Sequence, residues 1–253
     1  MSAALEFRNV TVAIGGGRRL LESVSLEVEE GTVTVILGRS GSGKTTLLRT
    51  ANRMVEPTDG EIIVTRSTRD EVVALRRKMG YVIQETGLFP HFTLERNVGI
   101  VLEVQGIARQ QRIERSNELL RLVGLDPEAF AGRYPHQLSG GQRQRVGLAR
   151  ALAANPRILL MDEPFGALDP LTRVEMQDML LELLKHLKTT VLLVTHDLDE
   201  ALYLADRIVL LSEGRMVANL ARDEFPVSQI PEVLAYMRAF HRRRGGGAKR
   251  DLT

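Results

Sequence analysis

The sequence predicts an α/β fold built on a buried parallel sheet, with an antiparallel β subdomain at its start and a helical subdomain inserted part-way along. Three observations carry this. Five short β-rich runs are apolar throughout rather than alternately, which marks strands covered on both faces. Amphipathic helical stretches lie between several of them. The opening and middle of the chain break that rhythm, the first by alternating, the second by losing strand signals.

In chain order, "LEFRNVTVAI" (5–14) and "VSLEVEEGTV" (24–33) alternate apolar and polar residues, as an antiparallel hairpin with one buried face does. The continuous runs follow: "TVTVIL" (32–37), "YVI" (81–83), "RILLM" (157–161), "TVLLVT" (190–195) and "RIVLLS" (207–212). "KTTLLRTANRM" (44–54) reads as a helix directly after the first. From about Phe92 to Pro135 helical patterns dominate, including "QRIERSNELLRLVGL" (111–125). In "VEMQDMLLELLKHLK" (174–188), Met176, Met179, Leu180, Leu183, Leu184 and Leu187 form one stripe, with the methionines as core filler. A short strand, "RMVANL", precedes a terminal helix around "PEVLAYMRAF" (231–240) and a basic tail, "HRRRGGGAKR" (241–250), expected to be solvated. The expected division is a core over about 1–85 and 151–222, a helical subdomain over about 86–150, one catalytic domain over 1–235, and a tail over 236–253.

Composition narrows the function classes. The 253 residues are 43% hydrophobic, enough for one large globular domain. No apolar run reaches the roughly 18–20 residues that span a bilayer, and the first thirty residues lack a secretory plan. A soluble, cytosolic chain is expected. The absence of cysteine excludes disulfides and thiolate metal sites, and a net charge of +2 gives no argument for nucleic acid.

The chemistry gathers at strand ends. "GRSGSGKT" (Gly38, Arg39, Ser40, Gly41, Ser42, Gly43, Lys44, Thr45) follows a strand, opens a helix and fits G-x-x-x-x-G-K-[ST]. Its backbone N–H groups converge on phosphate oxygens, Lys44 reaches the β and γ phosphates, Thr45 is the expected Mg²⁺ ligand and Thr46 supports the phosphate contacts. "RILLMDEP" ends a buried strand in Asp162, expected to hold Mg²⁺, followed by Glu163, placed to polarise an attacking water as general base. His196, after "LLVT", sits at the same edge, where it meets the γ-phosphate or the water. Gln84, after "GYVI", ends a strand where an amide touches both Mg²⁺ and water. A second anion site opens another helix: Ser139, Gly140, Gly141 and Gln142 in "LSGGQRQR" (138–145).

Together these motifs resemble one family, the ATP-binding subunits of ABC transporters. "GRSGSGKT" is similar to the Walker A loop, Gln84 to the Q-loop glutamine, "LSGGQ" to the signature, "ILLMDE" to the Walker B strand, "GALD" with Asp169 to the D-loop, and His196 to the switch histidine. All six occur in family order, over about Leu5 to Leu220. The resemblance implies a RecA-like P-loop NTPase core, ATP and Mg²⁺ as ligands, and head-to-tail dimers, homodimeric or with a paired ATPase subunit. Each ATP would lie between the P-loop of one subunit and the signature of the other. A separate integral-membrane permease at the cytoplasmic face would be the driven partner, receiving its coupling helix near "VIQETGLFPHFTLERNV" (82–98), with a solute-binding protein engaged indirectly. Gly87, Leu88, Phe89 and Phe92 there fit either a docking surface or internal packing.

"YVIQETGLFPH", "YPHQLSGGQRQRVGLARALA" and "MDEPFGALDPLTR" look most like importers of osmoprotectants such as glycine betaine, choline and carnitine. An importer for amino acids, nitrate or another polar solute is the alternative, and a non-transport ABC ATPase a further one. Three departures stand out. Ile14 occupies the place of the aromatic that stacks on adenine, so weaker or less base-selective nucleotide binding is expected. Arg39 stands where proline is common. The chain stops before the paired regulatory domains of many osmoprotectant ATPases, which argues against direct osmotic sensing.

Overall fold

The computed structural model describes residues 2–65, 72–84, 86–187 and 189–245. Two sheets divide the strands. The first has the order β2-β1-β4 and is antiparallel, formed by β1 (Ala3–Ile14), β2 (Arg18–Glu29) and β4 (Asp59–Val64). Alternation in β1 and β2 foretells the hairpin. β4 is an addition to the expectation, because "DGEIIV" is exposed at one end and only half-buried at the other, and so carries little apolar signal.

The second sheet has the order β5-β6-β7-β3-β8-β9. Its strands are β3 (Val33–Leu37), β5 (Met79–Val82), β6 (Ile158–Asp162), β7 (Thr190–Thr195), β8 (Arg207–Ser212) and β9 (Arg215–Ala221). β5 through β8 pair in parallel, as the unbroken apolarity predicts, whereas β9 turns back antiparallel on β8, making the sheet mixed. Every residue of β3, β6 and β7 is buried. Their side chains alternate between two cores. Val33, Val35, Leu37, Leu159, Met161, Val191 and Leu193 join one; Ile36, Leu160, Leu192 and Val194 join the other. Each such side chain contributes about 1.5–3 kcal/mol by leaving water.

α1 (Lys44–Ala51) packs with the antiparallel sheet in the second core, through Leu47, Leu48 and Ala51. α2 (Val72–Arg77) precedes β5. Between β5 and β6 lie α3 (Leu94–Val104), α4 (Arg109–Leu122), the single turn α5 (Pro127–Phe130) and α6 (Gly140–Leu152). α7 (Pro170–His186) buries Met176, Leu180 and Leu183, with Met179, Leu184 and Leu187 packed alongside, so the expected stripe is the contact face. α8 (Leu198–Leu204) leads to β8. α9 (Pro231–Gly245) includes the expected terminal helix 231–240 and runs across residue 235 without a break. Val233 is buried, and Tyr236, Met237 and Phe240 continue its face onto the first core, which prolongs the helix through 236–240 and beyond. The remainder of the tail, 246–253, lies outside the described residues. Among the described residues no helix is long and apolar enough to cross a membrane.

Candidate nucleotide site

The loop Gly38–Gly43 joins the end of β3 to the start of α1. Gly43 holds φ at 99° and Gly38 has no room for a side chain, since a Cβ there would lie 2.3 Å from the Leu211 carbonyl and 2.7 Å from Ser42 Oγ. The chain therefore curls tightly enough for Lys44 Nζ to donate back to the carbonyls of Gly38 (2.9 Å) and Arg39 (3.1 Å). Lys44 is 5% exposed. Burial pushes its ammonium below the usual lysine range, while the charges of Glu163 and Asp162 pull it back up. Arg39, Ser40 and Gly41 form the exposed lip, Ser42 is buried beneath it, and Thr46 is half-buried in the first turn of α1.

β6 delivers the carboxylates to the same edge. Thr45 Oγ1 donates to Asp162 Oδ1 at 2.8 Å across 117 residues of sequence. Tyr81 donates its hydroxyl to Asp162 Oδ2 at 3.4 Å, and Arg49 stands 3.8 Å from that oxygen. After Asp162 the backbone turns sharply: Glu163 takes φ 44°, its N–H bonded to the Val194 carbonyl of β7 at 3.0 Å. Its Oε2 then lies 3.1 Å from His196 Nδ1. His196 follows β7, and Asp197 behind it caps α8, accepting from the Asp199 N–H at 2.8 Å. Strand register does this work, because β6 and β7 run side by side and end together.

The residues present fit a phosphate chain with Mg²⁺. The loop is a cradle that a Cβ at Gly38 would fill, and Ser42 Oγ is buried without a partner among the described residues. Among the described residues no group of three or more His, Asp or Glu is placed to hold a metal alone. Two protein oxygens, from Thr45 and Asp162, match an ion that takes its remaining ligands from phosphate and water.

Other expected residues lie apart from this cluster within one chain. Ser139 caps α6, accepting from Gln142 N–H at 3.2 Å, and Gln142 Oε1 accepts from Ser139 N–H at 3.0 Å. This box occupies the Gln142 amide and the Ser139 amide and leaves those of Gly140 and Gly141 at the helix start for a ligand. Asp169 caps α7 on Thr172 N–H at 3.1 Å. The two caps are neighbours: a Cβ on Gly141 would lie 2.3 Å from Thr172 Cγ2. Gln84 stands exposed two residues past β5. Ile14 is 46% exposed at the end of a hairpin whose Leu20 carbonyl abuts Gly43.

Sequence reading missed residues that tie the site to its surroundings. Arg150, on α6, donates to the carbonyls of Gly87 (2.7 Å) and Thr86 (2.6 Å). Asn97, fully buried, accepts from the Phe89 N–H and donates to the carbonyls of Phe89, Phe92 and Thr93. Between these clamps Leu88 packs on the core, while Phe89 stays 41% exposed beside His91 and Phe92, with Arg96 over the Phe92 ring. The segment thus divides the two readings left open above, Leu88 inward and Phe89 outward. Its spacing of three residues from buried Leu94, on the same helix face, is the one sequence hint of the inward position of Asn97.

Comparison with known proteins finds ATP-binding cassettes of ABC transporters. The profile of the family described as ABC transporter matches residues 21–166. A choline transport ATP-binding protein of Bacillus subtilis, OpuBA, is 48% identical over 215 residues, covering 84% of this chain and 56% of that protein. A glycine betaine uptake system ATP-binding protein of Escherichia coli, YehX, is 47% identical over 218 residues, covering 84% and 69%. The chain spans little more than half the length of the first of these relatives. Among solved structures, a dimeric ATP-binding cassette in a post-hydrolysis state with ADP and Pi superposes with a TM-score of 0.76 at 36% identity, covering 86% of this chain and 98% of that one. A cassette of an ABC transporter complex from Clostridium perfringens reaches 0.82 at 26% identity, covering 94% and 100%.

Proposed function

The chain belongs to the ABC transporter family, and from that premise we propose that it is the ATP-hydrolysing subunit of an importer, acting as a dimer around two MgATP on a separate membrane permease. The observation that carries the reading is the convergence of Lys44, Thr45, Asp162, Glu163 and His196 at the carboxyl edge of one sheet.

Each residue has a task set by its position. Lys44, already desolvated and held on two backbone carbonyls, exchanges those acceptors for phosphate oxygens, whose negative charge favours the ammonium against the burial that lowers its pKa. Thr45 and Asp162 hold Mg²⁺, and the ion when bound neutralises charge on the phosphate oxygens. Glu163 accepts the proton of the attacking water. His196 orients that carboxylate through Nδ1. Gly38 to Gly43 and Thr46 bind the phosphates, Ile14 covers the base and Gln84 reports on metal and water. Ser139, Gly140, Gly141 and Gln142 of a second copy complete the site, their free helix-start amides directed at the γ-phosphate, with Asp169 beside them. ATP so placed joins two copies, and its hydrolysis releases them.

The relatives named for choline transport and glycine betaine uptake support osmoprotectants as the cargo of the assembly. The same reading assigns a solute-binding protein as the indirect partner and the cytoplasmic membrane face as the place of action. The exposed Phe89 beside the clamped loop supports 82–98 as the permease contact. Glu163→Gln tests the mechanism. It is expected to bind MgATP and accumulate a stable dimer by size-exclusion chromatography while turnover falls roughly 10²–10⁴-fold. Turnover at the wild-type rate would remove Glu163 from its role.

A further inference from the structure

α9 comes back across the carboxyl edge of the core sheet. A cleft of about 560 Å³ separates it from the phosphate loop, with Arg39, Ser40 and His196 on one wall and Tyr236, Ala239 and Phe240 on the other. At one point the cleft is bridged: the Tyr236 hydroxyl donates to the backbone carbonyl of His196 at 2.8 Å, across 40 residues of sequence. Tyr236 is anchored on its other side by packing against the core that holds Val233.

His196 sits at the mouth of a strand-end loop with its side chain 48% exposed, so its ring has little packing to fix it. Two bonds locate it instead. Its ring meets Glu163 at 3.1 Å, and its backbone carbonyl is held by Tyr236. The N–H of that same His196–Asp197 peptide unit, on Asp197, donates to Thr195 Oγ1 at 3.0 Å, and Asp197 caps α8, so Tyr236 and Thr195 hold the two sides of one peptide plane. We propose that Tyr236 is a positioning residue that acts through His196, making α9 a part of the hydrolytic site. The inference rests on the role given to His196 above. Rotation of the His196 peptide swings the ring about the Cα, and displacements of about 1 Å at such a site cost up to about 10²-fold in rate.

Tyr236→Phe removes the hydroxyl and leaves the ring in place. Assayed on the full chain with MgATP, it is expected to lower kcat roughly three- to tenfold, the range that one net hydrogen bond supplies, with KM changed less than about twofold. A structural fastening would produce a different pattern, so the decisive measurement is the double-mutant cycle with His196→Ala. On the His196→Ala background, Tyr236→Phe is expected to produce no further loss of kcat. Wild-type kcat in Tyr236→Phe, a rise in KM with kcat preserved, or an equal loss on both backgrounds would each overturn the proposal while leaving the role of His196 intact. Wild-type turnover in His196→Ala would overturn both. A thermal midpoint on each variant identifies any loss that comes from unfolding, and a kcat loss that tracks such a fall in midpoint would likewise count against positioning.

Discussion

At Gly80 the strand leading to Gln84 lies close against the helix carrying "LSGGQ". A Cβ on Gly80 would lie 2.5 Å from the Ala151 carbonyl near the end of α6 and 2.8 Å from Leu159 Cδ1 of the neighbouring strand. Side-chain rotation relieves the second contact but not the first, because the obstacle there is backbone. To reach even 3.0 Å, α6 must retreat by at least about 0.5 Å, and overpacking of this kind costs about 1–3 kcal/mol. Against this, alanine restricts the unfolded chain and returns about 0.4–1 kcal/mol. The net loss for Gly80→Ala is about 1.5 kcal/mol, which for a domain of this size lowers Tm by roughly 3–6 °C. Gly132 is the control. Nothing lies within 4 Å of its Cβ position and its φ is not left-handed, so Gly132→Ala keeps only the unfolded-state gain and raises Tm by about 1–4 °C. Differential scanning calorimetry of both variants checks the sign. If Gly80→Ala melts at or above the wild type, the close approach of α6 to β5 is not a constraint and the reasoning fails.

Ser139 serves a helix cap and a proposed phosphate contact, and Ser139→Asp separates them. Asp caps as well as Ser, so the melting temperature is expected to stay within about 2 °C, while the added negative charge abolishes ATP-dependent dimerisation in light scattering. Asn97→Ala strips the Phe89 amide of its one side-chain partner among the described residues and leaves part-buried carbonyls of Phe89, Phe92 and Thr93 short of a donor; chemical denaturation is expected to show a loss of about 2 kcal/mol. Glu200 is buried, and burial raises its carboxyl above the ordinary 4.5, against the opposing pull of the Thr195 hydroxyl and Arg173. The unfolded chain therefore loses this proton first, so stability falls as pH rises from about 4.5 to the higher folded value and then levels. In Glu200→Gln that part of the stability–pH curve is expected to be absent from urea titrations across the same interval.

Much of the architecture was legible because its signals are local. β3, β6 and β7 announce themselves by unbroken apolarity in short runs bounded by turn residues, as strands covered on both faces do. The stripe on α7 is a spacing, and the phosphate loop is eight consecutive residues. β4 is not legible because its residues are at most half-buried, and the expected tail boundary at residue 235 falls inside α9 because the basic run from residue 241 reads as solvated whereas Tyr236 and Phe240 pack on the core. The site residues were likewise named from motifs, yet their joints were not visible. Thr45 meets Asp162 across 117 positions, Arg150 reaches Thr86 across 64, and Tyr236 reaches His196 across 40. Such pairs have no fixed spacing, since they depend on the order in which strands are laid side by side.

The left-handed turn at Glu163 has a bearing on how this chain can be engineered. A glutamate at φ 44° bears strain of about 1–3 kcal/mol that glycine would not, so the substitution that best suits the backbone is one that deletes the carboxylate. Stability and turnover thus pull this position in opposite directions. A library ranked by melting temperature alone is expected to enrich Gly or Asn at 163, yielding proteins that fold more firmly, bind nucleotide and hydrolyse almost none of it. Thermostabilisation of this chain therefore has to hold position 163 fixed and look for its gains elsewhere.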